Sequence, residues 1–258
     1  MGKGEVDDVT SPFFRQLQKG KSTMKNNDYP TKIKFVGTGG VYDYDLGNSA
    51  AIVQTEAGQV LIDCGYTVYP QLARKNLIDG IDYLLLTHLH GDHAGSLHAA
   101  ILHWKNIRGT NIKLIYPTER YKAELINYLK IFLVDVGKYI DFVPIEAVPG
   151  VGAIDTQGSH VDGIQSFAYY FDLSDQLIYY SGDLGDINVT LDFLRSSTHE
   201  NIVVFHEVVF IRRKEHTYYK EVEAMAEEFN VFAYHCNKAN APNDCKLRFV
   251  VDILELVY

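Results

Sequence analysis

The sequence uses cysteine sparingly and contains no long apolar run. Its 258 residues include only three cysteines, Cys64, Cys236 and Cys245, without paired spacing. This odd and sparse count argues against a disulfide framework and predicts reduced thiols in a cytoplasmic protein. No apolar run approaches the length of a membrane span, and residues 1–29 lack the apolar core of a signal peptide. We therefore expect no membrane partner.

Positive charge is also in short supply. The chain has 24 lysine and arginine residues against 33 aspartate and glutamate residues, so its net charge is −9. Proteins that bind duplex or tRNA backbones normally present a basic face to the phosphates. The composition therefore predicts no stable nucleic-acid partner, although a small anionic substrate held by metal ions remains compatible with it.

Length and patterning fit one large domain. Residues 1–30 lack hydrophobic periodicity and predict a flexible or peripheral N-terminal extension, whereas residues 31–258 predict a single folded domain. Strands come first, strands then alternate with helices, and the pattern recurs. This order predicts an α/β fold with two facing sheets and helices outside. Among the elements, a helix is predicted to begin at Pro117, and residues 248–254 are predicted as a strand.

Histidine and aspartate are concentrated in the segment 87–93. Its candidate metal ligands are His88, His90, Asp92 and His93. The apolar run 81–86 before this segment predicts a buried strand, and residues 94–104 after it predict a helix. The four side chains would therefore occupy a strand-to-helix loop, where a rigid scaffold presents functional groups to a cleft.

The spacing within this loop suggests two metal sites. Residues two apart in an extended segment point the same way, so His88 and His90 could bind one ion together. Asp92 and His93 lie where the chain turns into the helix and could bind a second ion nearby. Imidazole and carboxylate ligands suit zinc, iron or manganese. The alternative is a surface loop that is rich in histidine by chance, which such tight spacing makes rare.

Three further candidate ligands lie beside predicted strands. They are His160, Asp183 and His235. His160 precedes a strand predicted over 164–172, and the other two residues follow predicted strands. Taken singly, each is as compatible with an ordinary surface or core residue as with a ligand. Asp63 lies beside the expected pocket and is predicted to orient a ligand histidine rather than to bind metal itself, while Cys64 is predicted as a small core residue.

The chain resembles the metallo-β-lactamase superfamily in its metal-binding motifs. These are H-x-H-x-D-H at 88–93, followed in order by His160, Asp183 and His235. The resemblance implies a four-layer αββα sandwich, two facing mixed β-sheets with helices outside, in which residues 31–258 form one catalytic domain. It also implies two divalent metal ions, with zinc favoured and manganese or iron as alternatives. Ions about 3.5–4 Å apart in such a site activate a water nucleophile.

The resemblance also implies a role for each ligand. His88, His90 and His160 would bind the first ion. Asp92, His93 and His235 would bind the second ion, with Asp92 serving catalysis as well. Asp183 would bridge the two ions.

Further segments resemble the ribonuclease Z-like branch of that superfamily. They are residues 34–39, Asn48-Ser49, residues 62–65 and 180–183, His206-Glu207-Val208-Val209, and Glu215-His216-Thr217. The β-lactam-cleaving branch lacks the Glu207–His216 pair. We expect His216 at the N-terminus of a helix predicted over 218–229, where it would donate a proton to a leaving alkoxide. Glu207 would orient His216 and keep it cationic.

One difference from ribonuclease Z narrows the range of expected substrates. Ribonuclease Z carries a tRNA-binding arm between its third metal histidine and its bridging aspartate, but the interval from His160 to Asp183 fits only a hairpin. The chain is therefore similar to armless cyclic-nucleotide phosphodiesterases, among them the phage and bacterial anti-Pycsar enzymes that destroy cyclic nucleotide immune signals. This implies hydrolysis of 3′,5′-cyclic nucleotides to nucleoside monophosphates, in the cytoplasm of a bacterium, or of the host cell if the chain is phage-encoded.

Three alternatives to this function remain open. The site could cleave RNA, with the arm replaced by the lysine-containing N-terminal extension or by a partner subunit. It could act on another small phosphodiester, or the protein could be a non-enzymatic module that binds a nucleotide or metal. A homodimer is also expected, because Tyr169-Tyr170 and Tyr218-Tyr219 suggest aromatic surface and the related branch is commonly dimeric.

The remaining histidines have weaker functional signals. His98 and His103 are predicted to be exposed on the helix after the metal loop, and His199 is predicted in a loop. His206 lies in an apolar run and is predicted as a hydrogen-bonded structural residue.

Overall fold

The computed structural model describes residues 32–253. The predicted N-terminal extension, residues 1–30, lies outside the described residues, as do residue 31 and residues 254–258. Within the part of the chain that is described, no helix has the length and apolar character that a membrane crossing requires.

Six strands form the first sheet and neighbour one another in chain order. They are β1 (Ile33–Gly37), β2 (Ala50–Thr55), β3 (Gly58–Ile62), β4 (Tyr83–Leu85), β5 (Ile112–Tyr116) and β6 (Ile140–Pro144). The pairs β1–β2 and β2–β3 are antiparallel, whereas β3, β4, β5 and β6 run parallel. Nearly every residue of β2 and β3 is buried on both faces of the sheet, as expected for strands covered from both sides.

Five strands form the second sheet, in the order β11-β10-β9-β8-β7. They are β7 (Val151–Asp155), β8 (Phe167–Leu173), β9 (Gln176–Tyr180), β10 (Ile202–Glu207) and β11 (Asn230–Tyr234). Again the first pairs, β7–β8 and β8–β9, are antiparallel, and β9, β10 and β11 are parallel. The recurring pattern predicted from the sequence is therefore present in both sheets.

Helices cover the outer faces. They are α1 (Val68–Arg74), α2 (Gly91–Ala94), α3 (Leu97–Asn106), α4 (Glu119–Leu129), α5 (Ile187–Ser196) and α6 (Tyr219–Met225). Helices α1, α3 and α4 contact strands of the first sheet. Leu194 of α5 and Val222 of α6 pack with Tyr179, Val204 and Val231 of the second sheet. Burial of these apolar side chains is the main term that holds the outer layers in place.

The two sheets face each other through an aromatic layer. Phe35 of β1 has its ring centroid 5.1 Å from Phe205, 5.6 Å from Tyr234 and 6.1 Å from Tyr180. All four rings are buried, and pairs at such distances add stabilisation beyond the buried area. The predicted four-layer αββα architecture is confirmed.

The parallel strands end at the edges where the candidate site residues begin. Asp63 follows β3, His88 lies in the loop after β4, and Asp183 lies in the loop after β9. Glu207 is the last residue of β10, and His235 follows β11 directly. Loops after parallel strands therefore supply most of the site, as is common in α/β folds.

Some helix boundaries differ from the sequence predictions. The helix predicted from Pro117 begins instead at Glu119, because the Thr118 side chain accepts a hydrogen bond from the backbone N–H of Tyr121 and caps the helix. The helix predicted over 218–229 is α6, which ends earlier. The helix predicted over 94–104 is divided between α2 and α3, since the backbone N–H of Ser96 donates to the Cys64 carbonyl instead of continuing α2.

Two other predictions are wrong. Of the strand predicted over 248–254, the described residues 248–253 contain a short 3-10 helix at Val250–Asp252 instead, and the sheet contact there is a hydrogen bond from the Ala233 N–H to the Arg248 carbonyl. The tyrosine pairs that suggested a dimer surface lie largely in the core. Tyr169 and Tyr219 are buried, and Tyr170 stacks on Phe193 at 5.0 Å. These rings therefore pack the second sheet and do not argue for a dimer.

Candidate metal centre

The loop after β4 divides its ligands between an extended segment and a helical turn. His88 lies in the loop, and the His90 carbonyl accepts the backbone N–H of Ala94 at 2.8 Å, which starts α2. Asp92 and His93 then occupy the first turn of α2, and both are buried. The change from extended to helical backbone turns the second pair of side chains toward a different point from the first.

Three imidazole nitrogens converge on one point. The Nδ1 atom of His90 lies 2.9 Å from Nε2 of His88 and 3.1 Å from Nε2 of His160. A tetrahedral zinc ion with bonds of about 2.0–2.1 Å would hold its ligand nitrogens about 3.3 Å apart. The observed spacing is therefore close to that of three corners of a single coordination shell.

A second group of donors lies next to the first. The Oδ2 atom of Asp92 is 3.6 Å from Nε2 of His93 and 3.8 Å from Nε2 of His235. Asp183 lies between the two groups. Its carboxylate oxygens are 3.3 Å from His93 Nε2 and 3.5 Å from His235 Nε2, and one of them is 3.9 Å from Nε2 of His88. Asp183 thus reaches both groups.

Two of the histidines are fixed by contacts on the ring nitrogen that points away from the cluster. His93 Nδ1 lies 2.8 Å from Oδ2 of Asp63, whose other oxygen accepts the backbone N–H of Thr87 at 2.7 Å. His160 Nδ1 lies 2.8 Å from the backbone carbonyl of Glu215. A proton on Nδ1 in each ring leaves the Nε2 lone pair aimed into the cluster, the tautomer that a ligand needs.

Two residues of the site adopt a left-handed backbone. Asp63 has φ of 64° and His235 has φ of 61°, a region that few residues other than glycine occupy. Such conformations cost free energy and persist where the surroundings impose them, often at functional sites. In both residues the unusual backbone turns the side chain toward the cluster directly after a strand ends.

Burial and mutual proximity set the protonation of the cluster. Burial lowers the pKa of His88 well below its ordinary value, and the neighbouring His93 lowers it further. Burial and His160 likewise lower the pKa of His90. Burial also acts to lower the pKa of His93, but the carboxylates of Asp183 and Asp63 outweigh it and raise that pKa. Neutral imidazoles at His88 and His90 are the form that binds a metal ion.

The buried polar atoms of the cluster fit a pair of divalent ions. His93 Nε2 and Asp183 Oδ1 are buried and have no hydrogen-bond partner, although a buried polar atom without a partner is costly. Both atoms face other donors of the same cluster. Imidazole nitrogens and carboxylate oxygens in two adjoining groups suit zinc, manganese or iron. The first group is His88, His90, His160 and Asp183, and the second is Asp92, His93 and His235.

Beside the cluster lies a separate pair formed by Glu207 and His216. His216 Nδ1 is 3.3 Å from Glu207 Oε2 and 3.9 Å from Asp183. Glu207 is fully buried, and its other oxygen accepts the backbone N–H groups of Leu184 and Thr217 at 3.2 and 3.0 Å. Burial lowers the pKa of His216, but the charge of Glu207 outweighs it and, with Asp183, raises that pKa to about 9.

His216 lies close to its predicted position before the helix. The helix was predicted over 218–229, and α6 begins one residue later, at Tyr219. His216 therefore lies near the end of the loop between β10 and α6. That loop is closed at its base by a hydrogen bond from the Val209 N–H to the Thr217 carbonyl, and within it the His216 ring faces Glu207.

The other histidines lie outside the cluster. His98 and His103 were predicted to be exposed, but both are partly buried: His98 stacks on Phe132 at 4.5 Å, and His103 Nε2 contacts Asp79 at 3.2 Å. His206 is buried, with Nε2 3.1 Å from the Thr190 hydroxyl, which agrees with its predicted structural role.

Sequence reasoning missed several contacts that hold the site. The Thr87 hydroxyl lies 2.9 Å from Asp63 Oδ2 and 3.1 Å from His88 Nδ1. Its place immediately before His88 was the available signal. The Glu215 carbonyl that contacts His160 is a backbone group and leaves no trace in the residue pattern. Cys64, predicted in the core, is buried with its thiol 3.4 Å from the Ser96 hydroxyl.

Known proteins are similar to parts of this chain. The anti-Pycsar protein Apyc1 of Paenibacillus xerothermodurans is 30% identical over 171 residues, covering 59% of this chain and 65% of that protein. The protein of the same name from Bacillus phage BSP38 is 34% identical over 105 residues, covering 40% of this chain and 41% of that protein. The chain therefore matches less than two-thirds of the length of either relative.

Among solved structures, the metallo-β-lactamase fold protein YhfI from Bacillus subtilis superposes with a TM-score of 0.62 at 14% identity, covering 80% of this chain and 86% of that one. Similarity at that identity shows the fold alone, and it confirms the metallo-β-lactamase fold that the sequence motifs implied. The family profile described as anti-Pycsar protein Apyc1 matches residues 31–251, which is most of the chain. The chain therefore belongs to the anti-Pycsar Apyc1 family.

Proposed function

We propose that the protein is a metal-dependent phosphodiesterase that hydrolyses 3′,5′-cyclic nucleotides to nucleoside monophosphates. The observation that carries the proposal is the Glu207–His216 pair beside the candidate metal centre, with His216 Nδ1 3.9 Å from Asp183. A metal centre alone suits many hydrolyses, whereas an adjacent cationic histidine suits a reaction with a poor leaving group. Membership of a family named anti-Pycsar supports a cyclic nucleotide as the substrate.

Seven side chains would hold two divalent ions in this proposal. His88, His90 and His160 would hold the first ion, Asp92, His93 and His235 would hold the second, and Asp183 would contribute to both. When bound, the ions supply Lewis-acid activation of water and neutralise charge on the phosphodiester. The imidazole-rich donor set favours zinc over manganese or iron.

His216 holds the proton that the leaving ribose oxygen needs. With a pKa of about 9, its imidazole is cationic at neutral pH. Because Nδ1 faces Glu207, the Nε2 atom is free to donate a proton to the departing oxygen as the phosphorus–oxygen bond breaks. The side chain is 21% exposed, so a substrate in the cleft can reach it.

Glu207 positions that acid. One carboxylate oxygen is occupied by two backbone N–H groups, which leaves the other oxygen to face His216. A fully buried carboxylate in a fixed orientation stabilises the imidazolium more than a solvated one would. Glu207 is therefore proposed to act through His216 and not on the substrate.

The surroundings of the site favour a small substrate. Between His160 and Asp183 the chain forms only a loop and the β8–β9 hairpin, and both strands belong to the second sheet. The described residues thus contain no projecting arm in this interval. Together with the net charge of −9, this supports a single nucleotide over a folded RNA.

The test is a substrate panel on the purified, metal-loaded protein. We expect metal-dependent conversion of 3′,5′-cyclic AMP, GMP, CMP or UMP to the corresponding monophosphate. Chromatography of the reaction mixture measures this conversion. A pre-tRNA transcript belongs in the same panel. Absence of turnover for every cyclic nucleotide contradicts the proposal. Cleavage of the transcript alone would show that the substrate is RNA.

Two properties implied by the resemblance are proposed with it. A cytoplasmic location agrees with the sparse, unpaired cysteines, each of which is free in the structure. A homodimer rests on the related branch alone, because the tyrosine pairs that suggested it are largely buried. Light scattering at micromolar concentration is expected to give twice the 29.2 kDa of the chain, and a monomeric mass would contradict it.

A further inference from the structure

Three exposed tyrosines lie on two segments that adjoin the candidate metal centre. Tyr42, Tyr44 and Tyr66 are 82%, 68% and 53% exposed, among the most exposed large apolar side chains of the described residues. We call these three residues the aromatic rim. Single exposed apolar residues are ordinary, whereas a group of them can mark a ligand-binding surface, and the position of this group relative to the ligands indicates which ligand it would bind.

Tyr66 lies directly on the helix that carries Asp92 and His93. A Cβ atom at Gly91 would collide with the Tyr66 hydroxyl, and one at Gly95 would collide with the Tyr66 ring. Glycine at both positions therefore leaves the ring room to lie against α2, immediately beside the metal ligands. The backbone is held there by hydrogen bonds between residue 64 and residues 93 and 96. One side of a fixed ring is covered, and half of its surface stays open.

Tyr42 and Tyr44 lie in the loop that begins next to His235. A Cβ atom at Gly40 would be 3.5 Å from His235 Nε2, so the start of this loop adjoins the second group of donors. The loop is internally bonded: the Gly40 N–H donates to the Asp43 side chain at 3.2 Å, and the Leu46 N–H donates to the Asp43 carbonyl at 3.0 Å. The two exposed tyrosines are thus held on an ordered turn.

Asn48 joins these two segments. Its side-chain amide donates to the Gly40 carbonyl at 3.3 Å and accepts the Thr67 N–H at 3.1 Å, and its own N–H donates to the Thr67 hydroxyl at 2.7 Å. Asn48 is 1% exposed. One buried side chain therefore bonds both the loop that carries Tyr42 and Tyr44 and the segment that carries Tyr66, so these two segments are held together beside Asp92 and His235.

We propose that the aromatic rim binds the nucleobase of the substrate by stacking, while the metal centre and His216 act on its phosphodiester. The inference rests on the proposed function. Every base has a π-face, so exposed aromatic rings carried on hydrogen-bonded segments can recognise a nucleobase by stacking. Purines, with the larger ring, are expected to gain more from the rim than pyrimidines.

The experiment compares Tyr66→Ala and the double variant Tyr42→Ala/Tyr44→Ala with wild type. We expect KM for cyclic AMP to rise about 5- to 150-fold, the usual worth of base–aromatic stacking, at nearly constant kcat. The rise is expected to be smaller for cyclic UMP and to disappear for the base-free 3,5-cyclic phosphate of 1-deoxyribose. Tyr66→Phe keeps the ring and is expected to restore most of the affinity. Tyr83→Ala, which removes a partly buried tyrosine at the opposite end of β4, serves as the matched control.

Calorimetric binding of 5′-AMP to the same metal-loaded variants separates the two proposals. If the wild type hydrolyses no cyclic nucleotide but binds 5′-AMP more tightly than Tyr66→Ala does, the phosphodiesterase assignment fails and the rim stands. If wild type and both alanine variants bind 5′-AMP equally, or wild type does not bind it, the rim proposal is overturned. An equal rise in KM for the base-free substrate would also overturn it.

Discussion

Two neighbouring histidines at the edge of the second sheet are placed for different tasks. The rings of His216 and His235 stack with their centroids 6.0 Å apart. His235 Nε2 faces Asp92 and Asp183, two carboxylates that are shared with other imidazoles. His216 Nδ1 faces Glu207, a buried carboxylate whose other oxygen is taken by backbone N–H groups.

The difference lies in what the surrounding carboxylates can accept. Asp183 adjoins the imidazole nitrogens of His88, His93 and His235, an arrangement that a cation would complete. Glu207 offers its remaining oxygen to one imidazole, an arrangement that a proton completes. The metal centre and the Glu207–His216 pair are therefore expected to respond differently to substitution, and four predictions test this, from the largest effect to the smallest.

The largest effect is expected from loss of a candidate ligand. His235→Ala is expected to reduce bound metal from about two ions per chain to about one, because ligand loss weakens affinity as well as chemistry. Turnover should fall more than about 10⁴-fold, since the missing ion helps activate the nucleophile and neutralise charge. Elemental analysis and cyclic-nucleotide assays measure both quantities. His199→Ala, a half-buried histidine paired with Asp172, is the control that should keep its metal, and full metal content in His235→Ala would contradict the assignment.

The next effect concerns the proton donor. His216→Ala is expected to keep both ions while turnover of the cyclic nucleotide falls about 10²- to 10⁴-fold, the usual worth of a positioned general acid. With bis-p-nitrophenyl phosphate the loss should shrink, because a nitrophenolate leaves without being protonated. Equal losses on both substrates, or loss of metal, would show that His216 is a ligand or a structural residue and would erase its contrast with His235.

The sequence predicted the metal centre better than the acid because the two carry different signals. Four ligands lie within the segment 88–93, so local spacing alone grouped them. His160, Asp183 and His235 are far apart in the chain and could be joined to that segment only through a family resemblance. The helix start was predicted to within one residue, at 218 against Tyr219, but the contact between His216 and Glu207 joins two separate loops and could be proposed only from the family resemblance.

The fold was predictable where periodicity was strong. The apolar run 81–86 was predicted as a buried strand, and β4 (Tyr83–Leu85) lies within it. Strand β7 was missed because its short sequence, VGAID, contains glycine and ends in a charge, so only its pairing with β8 makes it a strand. The contacts of Asn48 and of the Glu215 carbonyl depend on tertiary structure and could not be read from residue order.

A third prediction tests how His93 is oriented. Asp63→Asn keeps the size of the side chain and tolerates the left-handed backbone, but its amide would present N–H donors where His93 Nδ1 now faces a carboxylate oxygen at 2.8 Å. The proton of His93 would then move to Nε2 and block the ligand atom. We expect metal affinity to fall about 10- to 100-fold, measured by chelator competition. Asp175→Asn, at an exposed carboxylate paired with Lys32, should have no such effect, and unchanged affinity in Asp63→Asn would contradict the role of Asp63.

The smallest effect should depend on pH and sharpens the contrast between the two histidines. Glu207→Gln retains an oxygen for the Leu184 and Thr217 N–H groups but removes the charge that faces His216. Without that charge the pKa of His216 should fall from about 9 toward its ordinary 6.5. A general acid acts only while protonated, so activity is lost as pH rises through this pKa, and the alkaline limb of the pH profile should move to lower pH.

At pH 8 the expected loss in Glu207→Gln is about 30-fold, from the change in the protonated fraction between those two pKa values, whereas at pH 6 it should be about twofold or less. Metal content and the acidic limb, which do not depend on His216, should stay as in the wild type. Measuring kcat/KM of the wild type and the variant from pH 5.5 to 9.5 gives the shift of the alkaline limb. If the alkaline limb stays in place, Glu207 does not govern His216, and the proton donor must be sought in another residue beside Asp183.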